Sequence, residues 1–105
     1  MTRSSVGLVC EVTWSPQSLR DLEAIRAYIA VDSPLYADLT FRRIVAAVER
    51  LKAFPESGRM VPERNSPDIR EVIVGRYRVV YRYKVGAVEI ATVFRGSRQF
   101  PDLRA

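Results

Sequence analysis

The apolar positions along this chain change period twice. Over residues 8–14, Leu8, Cys10, Val12 and Trp14 fall on one face at a period of two, as in a short strand. From residue 16 the spacing lengthens. Leu19, Leu22, Ile25 and Ile29 recur at helical intervals, and Arg20, Asp21, Glu23 and Arg26 fall on the opposite side. Ser15-Pro16 marks the start of this helix, because a serine oxygen can accept from the free N–H groups of the first turn and proline fits the first helical position. Asp32-Ser33-Pro34 repeats the signal and predicts a second helix, with Ala37, Phe41, Ile44, Val48 and Leu51 as its packing seam. Pro55 cannot continue the helical hydrogen-bond ladder, so this helix should end near Phe54. The short link between the helices predicts an antiparallel hairpin. Trp14, just before the first helix, is expected to pack in or beside the core.

Residues 56–68, with Gly58, Pro62 and Pro67 as breakers, are expected to form the one substantial loop. Three β segments then follow at about 69–74, 77–84 and 87–94, separated by turns at Gly75 and Gly86. In the middle segment Tyr77, Val79, Tyr81 and Tyr83 share one face, and Arg78, Val80, Arg82 and Lys84 share the other. The predicted fold is α+β: an N-terminal strand, an antiparallel helix hairpin and a three-stranded antiparallel meander, in the order β-α-α-β-β-β. Helices should cover the tyrosine face and leave the arginine face available. The first strand could join the sheet at an edge or insert within it. Residues 1–105 form a single domain on this reading, with 1–7 and 99–105 as flexible ends.

Charge adds a direction to this picture. The chain carries 17 Lys and Arg against 12 Asp and Glu, a formal net charge of +5. The β region concentrates it: Arg70, Arg76, Arg78, Arg82, Lys84, Arg95 and Arg98 face only Glu71 and Glu89 there. Such a surface suits an anionic partner. With no histidine and one cysteine, histidine-based zinc sites, Ser–His triads and Cys–His dyads are excluded. Any acid–base chemistry must come from carboxylates, Tyr, Lys or Arg, and neither metal nor cofactor is expected. Cys10 has no partner for an internal disulfide, no apolar run approaches the ~20 residues that span a bilayer, and Glu11 interrupts any secretory apolar core. A cytoplasmic protein is expected.

Four stretches carry a family resemblance: WSPQSLRDLEAIRAYIAVDSP, RIVAAVERLKAFPESGRMVPE, REVIVGRYRVVYRY and VFRGSR. Together they resemble the toxin subunits of the ParE/RelE superfamily of bacterial type II toxin–antitoxin modules, over about residues 12–98, with the ParE branch nearest. The resemblance implies a toxin that inhibits DNA gyrase and is silenced by a cognate antitoxin. That antitoxin would combine a DNA-binding N-terminal domain with an acidic and apolar C-terminal segment laid across the toxin. The alternative within the superfamily is a RelE-like endoribonuclease that cuts mRNA on the ribosome. In that branch two arginines stabilise the phosphorane charge, and Arg78 and Arg98 match them. Glu63 sits in a "PE" similar to that of a sister group. The preceding strand offers Arg70 and Glu71 where that branch has lysines, no tyrosine follows Tyr83, and the histidine of the sister group has no counterpart. Proton-transfer groups each contribute roughly 10²–10⁴-fold, so their absence weighs against ribonuclease action, and no catalytic residue is assigned on the primary reading. The residues expected to contact a partner are Arg70, Arg78, Arg82, Arg95 and Arg98. Glu71 is expected to pair with a neighbouring arginine across strands, and Arg59 to pair with Glu63 or cap a helix end.

Overall fold

A computed structural model describes residues 10–101 and 103 of the chain. Strand β1 (Glu11–Trp14) leads into helices α1 (Pro16–Ala30) and α2 (Pro34–Arg50), followed by β2 (Arg59–Met60), β3 (Ile69–Val74), β4 (Tyr77–Lys84) and β5 (Ala87–Arg95). The five strands form one sheet in the order β1-β5-β4-β3-β2. The antiparallel meander β3–β4–β5 matches the sequence expectation. The question of the first strand is settled in favour of the edge, since β1 pairs with β5 in parallel, Val12 opposite Val88 and Trp14 opposite Ile90. Leu8 and the expected flexible start lie outside the described residues.

Both helices begin as their sequences require. The Ser15 hydroxyl oxygen accepts from Ser18 N at 3.0 Å and the Ser33 oxygen from Tyr36 N at 3.1 Å, with Pro16 and Pro34 in the first turns. On α2 the expected seam is buried at Ala37, Ile44 and Val48, and Leu51 continues it past the helix end. On α1 the buried stripe differs by one residue. Ser18 is fully buried, whereas Leu19 is 52% exposed. Ser18, Leu22, Ile25 and Ile29 recur at intervals of four, three and four, and the small serine donates its own hydroxyl to Ser15 O at 2.8 Å. A side chain that satisfies its polar atom locally can take a tight position where a leucine would not fit.

Helix α1 also closes an edge. β1 stops at Trp14, leaving the later residues of β5 without a strand neighbour on that side. Side chains fill the gap: Ser15 Oγ donates to Ala91 O at 2.9 Å, and Asp21 Oδ2 accepts from Val93 N at 3.0 Å and Thr92 Oγ1 at 2.6 Å. The opening falls beside a β-bulge, where the register moves from Val80↔Thr92 to Tyr81↔Ile90 and leaves Ala91 as the extra residue.

The helix face of the sheet buries Tyr77, Val79 and Tyr81 with Ile44, Val48, Leu51, Ile90 and Val93, as the alternation predicts. The other face corrects the sequence picture. Val61, Ile69, Val80 and Phe94 form a second buried cluster there, with Phe100 and Leu103 packed against it. The tail residues expected to be flexible thus include two that cover this face. Phe100 meets Phe94 edge-on, with ring centroids 5.6 Å apart and planes at 87°. The expected loop 56–68 likewise holds a short strand, β2, with Arg59 opposite Glu71 and Met60 opposite Arg70. The arginine face of β4 is therefore partly roofed.

Candidate functional site

The basic residues of the β region separate into three environments. Arg70 is occupied with backbone: its Nε donates to Pro67 O at 3.1 Å, and its Nη1 to Gly58 O at 3.0 Å and Glu56 O at 3.4 Å. It ties down the 56–67 segment. Arg82 lies opposite Glu89 on β5, with Nη1 3.5 Å from its carboxylate. Arg95 and Arg98 are exposed, and neither side chain has an ion pair or hydrogen bond among the described residues. Both line a cleft between α1 and the outer edge of β5, whose walls include Ala24, Ile25, Tyr28 and Val93.

Arg78 is the exception, held by several partners at once. It lies on the tail-covered face, with its side chain only 10% exposed. Its Nε donates to Glu71 Oε1 at 2.6 Å. Its two terminal nitrogens grip Glu63 in a fork, Nη1 to Oε2 at 3.0 Å and Nη2 to Oε1 at 2.8 Å. The guanidinium carbon stands 5.2 Å from the Phe94 ring centre and 5.3 Å from that of Phe100, within cation–π range of both. The other oxygen of Glu71 accepts from Arg59 Nε at 2.6 Å. Glu71 is itself fully buried and makes two charge-assisted bonds to two arginines, as its expected cross-strand role requires. Arg59 corrects its expectation, pairing with Glu71 where Glu63 or a helix end was anticipated. β2 places Arg59 directly opposite Glu71, and Glu63 is taken by Arg78.

Glu63 owes its position to a turn. Arg64 N donates to Val61 O at 3.0 Å, closing a four-residue turn with Pro62 second and Glu63 third. Proline presets the backbone angle at the second position of such a turn. Val61, buried in the second cluster, anchors the turn's start. The hydrogen bonds from Arg78 pull the Glu63 carboxyl from its ordinary 4.5 down to about 2, with the Arg78 and Arg59 charges adding to the effect. Reciprocally, the Glu63 and then the Glu71 bonds raise Arg78, so the fork stays charged throughout the physiological range.

A stability consequence follows from linkage. A carboxyl held lower in the folded than in the unfolded chain stabilises the fold above its unfolded value of about 4.5, and that contribution is lost as pH falls toward its folded value of about 2. Wild type should therefore be more stable than Glu63→Gln at pH 6, and urea unfolding should show the difference shrinking below pH 4.5 and nearly gone at pH 2. A difference between the two proteins that is constant across this window would contradict the pairing.

The two arginines that match the ribonuclease branch line different clefts. Arg78 lines a cleft with Arg59, Arg76, Arg95 and Ser97, while Arg98 lines others, with Asp21 and with Tyr28. None of the described clefts is lined by both. The Glu63–Arg78–Glu71–Arg59 chain is what sequence inspection missed as a unit. Part of its signal was present: a two-residue turn at Gly75-Arg76 pairs Ile73 with Arg78 and puts Glu71 on the diagonal of Arg78. Among the described residues there is no cluster of His, Cys, Asp and Glu suited to a metal, and no helix is long and apolar enough to cross a membrane.

Comparison with known proteins accounts for this architecture. Residues 12–100 match the family described as the ParE toxin of the type II toxin–antitoxin system parDE. Y4kP of Sinorhizobium fredii is 34% identical over 93 residues, covering 88% of this chain and 94% of that protein. Toxin RelE2 of Caulobacter vibrioides is 34% identical over 91 residues, 86% of this chain and 99% of its own length. Among solved structures, a chain of the chromosomal ParDE system of P. aeruginosa superposes with a TM-score of 0.68 at 22% identity, covering 83% of this chain and 96% of the other. At that identity the likeness speaks for the fold. The extent of the sequence match goes further: this chain belongs to the ParE toxin family of the ParE/RelE superfamily, the toxins of type II toxin–antitoxin systems.

Proposed function

We propose that this toxin acts by binding DNA gyrase and blocking its cycle, with no bond-making chemistry of its own. The observation that carries this reading is the state of Arg78. Its fork is closed by Glu63 and its Nε by Glu71, and two phenylalanine rings stand beside it. A phosphate-stabilising arginine of a nuclease would need that fork open toward substrate. Glu63, held at about 2, is too weak a base to take a proton from a ribose hydroxyl near neutral pH. The chain has no histidine and no tyrosine after Tyr83 to supply one instead.

The antitoxin partner of this reading matches the cleft beside β5. Its apolar wall of Ala24, Ile25, Tyr28 and Val93, with Arg95 and Arg98 at its margin, suits a segment that is both apolar and acidic. Both the target and this partner place the toxin in the cytoplasm.

The test is direct. Purified toxin should inhibit gyrase supercoiling at near-stoichiometric amounts, and inducing it without antitoxin should trigger a DNA-damage response while transcripts stay intact. Gyrase that is indifferent to excess toxin would remove this reading. Codon-phased mRNA cuts on translating ribosomes, lost in Arg98→Ala, would install the second: a ribosome-dependent endoribonuclease using Arg78, Arg98 and Glu63. The resemblance to Toxin RelE2 is what keeps that reading in view.

A further inference from the structure

Helices α1 and α2 meet at an apolar end that the packing of the core does not explain. Val31 and Leu35 are 83% and 81% exposed there, and Tyr36 and Leu39 stand exposed beside them. Leu35 and Leu39, four apart on α2, share a side of the helix turned away from its buried seam of Ala37, Ile44 and Val48. The core has no use for these side chains, and large apolar groups gathered at one exposed place mark an interaction surface. The tip is also held in shape. Asp32 N and Ser33 N donate to Ile29 O at 3.1 and 3.0 Å, Ala37 N donates to Ser33 O at 3.0 Å, and the Ser33 cap and Pro34 fix the start of α2. A partner meets these side chains on a preset backbone, which keeps the ordering cost of binding low.

Charge selects the kind of partner. In a chain with 17 Lys and Arg, none falls between Arg26 and Arg42. Both flanking arginines turn to Asp38, at 3.5 and 3.1 Å. An acidic segment or a phosphate backbone would find no cation on the tip itself. The tip differs in this from the cleft beside β5, which has Arg95 and Arg98 at its margin. A second copy suits it poorly. A symmetric contact needs a self-complementary surface, the end of a helix hairpin is convex, and four side chains are a small part of the roughly 20–30 residues a side of a stable interface. A convex apolar tip fits a recess on a different protein.

We propose that the hairpin tip of Val31, Leu35, Tyr36 and Leu39 is the toxin's target-docking surface, seated in an uncharged apolar recess of gyrase and leaving the β5 cleft to the antitoxin. The inference rests on the gyrase reading and adds to it the surface that makes the contact. Burial of apolar groups supplies the affinity, so binding is far less sensitive to salt than a contact made by arginines.

The experiment measures binding of purified gyrase, free of DNA, to immobilised toxin: wild type, Val31→Asp/Leu35→Asp, and Val85→Asp. Val85 is 96% exposed at the β4–β5 turn and controls for apolar exposure as such. The tip variant should bind at least about tenfold more weakly, Val85→Asp as wild type does, and wild-type affinity should change only severalfold between about 50 and 200 mM salt. Gyrase that binds wild type and tip variant alike overturns the inference and leaves the gyrase reading standing, whereas gyrase that ignores wild type removes both. With gyrase binding unchanged in the tip variant, a wild-type dimer that the variant breaks assigns the tip to a second copy, and loss of copurification with the cognate antitoxin assigns it to the antitoxin. Substitution at such exposed positions should leave the urea midpoint in place. If Val31→Asp/Leu35→Asp fails to fold, Val31→Thr/Leu35→Gln should show the same loss in smaller measure, and a wild-type affinity that falls by about 100-fold or more over the same salt range refutes the apolar contact without any variant.

Discussion

Glu71→Gln is expected to lower the unfolding free energy by about 3 kcal/mol, with Glu71→Ala at least as damaging. Glu71 has no exposed surface in its side chain, and each of its oxygens accepts a 2.6 Å bond from a different arginine. A glutamine of the same shape offers one acceptor oxygen and turns its NH2 against the other guanidinium. Breaking a buried pair from one side leaves an uncompensated charge, typically costing about 3–5 kcal/mol. Arg78 keeps its fork on Glu63, which places the loss at the low end of that range. For a domain whose whole stability is about 5–15 kcal/mol, the urea midpoint should fall clearly with the slope unchanged. Arg59 provides the contrast. Its side chain is 61% exposed, so in Arg59→Ala water can reach the Glu71 oxygen it leaves, and the cost should be about 1–2 kcal/mol, below that of Glu71→Gln even though a bond of equal length is removed. Equal losses from Glu71→Gln and Arg59→Ala, or a Glu71→Gln protein as stable as wild type, would show that burial of this carboxylate does not govern its contribution.

The same network marks the boundary of what periodicity can reveal. The tyrosine alternation on β4 identified the helix-covered face correctly, because a period of two states which residues share a side. It says nothing of what covers the side left over. Val80, buried between Arg78 and Arg82, was the available hint that the arginine face meets something apolar. The covering residues, Val61, Phe100 and Leu103, come from a turn and a tail whose paths depend on a proline turn and an aromatic contact rather than on any repeat. The helix starts were legible because Ser15 and Ser33 act within three residues of themselves. Leu19 was misplaced for the opposite reason. An apolar residue beside a serine looks like the buried one until the edge of β5 brings α1 close enough to require the smaller side chain.

Candidate chemistry shows the same division. Arg78 was singled out by its place in the family pattern and its flanking tyrosines, and it is indeed the centre of a charged cluster. Glu71 was recognised as an ion-pair partner from strand register alone. Pairing with Glu63 is one of the roles the sequence suggests for Arg59, the nearer arginine in the chain, because sequence distance is the only distance a sequence offers. In the folded protein Glu63 and Arg78, fifteen positions apart, are brought together by the turn between β3 and β4, and the reach of a bidentate fork decides the pairing. Of the surface that looks open for a ligand, Arg78 and Arg82 are already engaged with the protein's own carboxylates.

Gly58→Ala should be among the most destabilising single-methyl additions available in this protein, at about 2–5 kcal/mol. A Cβ at this buried glycine would stand 2.5 Å from Tyr81 Oη, 2.8 Å from Tyr81 Cε1 and 2.7 Å from the backbone oxygen of Glu71. The tyrosine ring is fully buried and cannot swing aside, and the Glu71 oxygen belongs to a strand. Overpacking of this kind costs about 1–3 kcal/mol by itself. The contacts at risk add to it: Gly58 N donates to Tyr81 Oη at 3.0 Å, Tyr81 Oη donates to Pro55 O at 2.7 Å, and Gly58 O accepts from Arg70 at 3.0 Å. Each buried group left unpaired costs about 1–3 kcal/mol. The phenol is the hinge of this arrangement, holding the exit of α2 against the sheet, and its burial raises its pKa above the ordinary value. Tyr81→Phe alone should cost about 1–3 kcal/mol by orphaning the Gly58 N–H and the Pro55 carbonyl. In the double variant Gly58→Ala/Tyr81→Phe, removing the hydroxyl takes away the closest contact but leaves the 2.7 Å approach to Glu71 O, so the combined loss should fall short of the sum of the single losses without vanishing. Strict additivity in urea unfolding would mean that the alanine methyl does not meet Tyr81, and a Gly58→Ala protein within about 0.5 kcal/mol of wild type would mean that the 55–58 segment is not seated against the sheet as described.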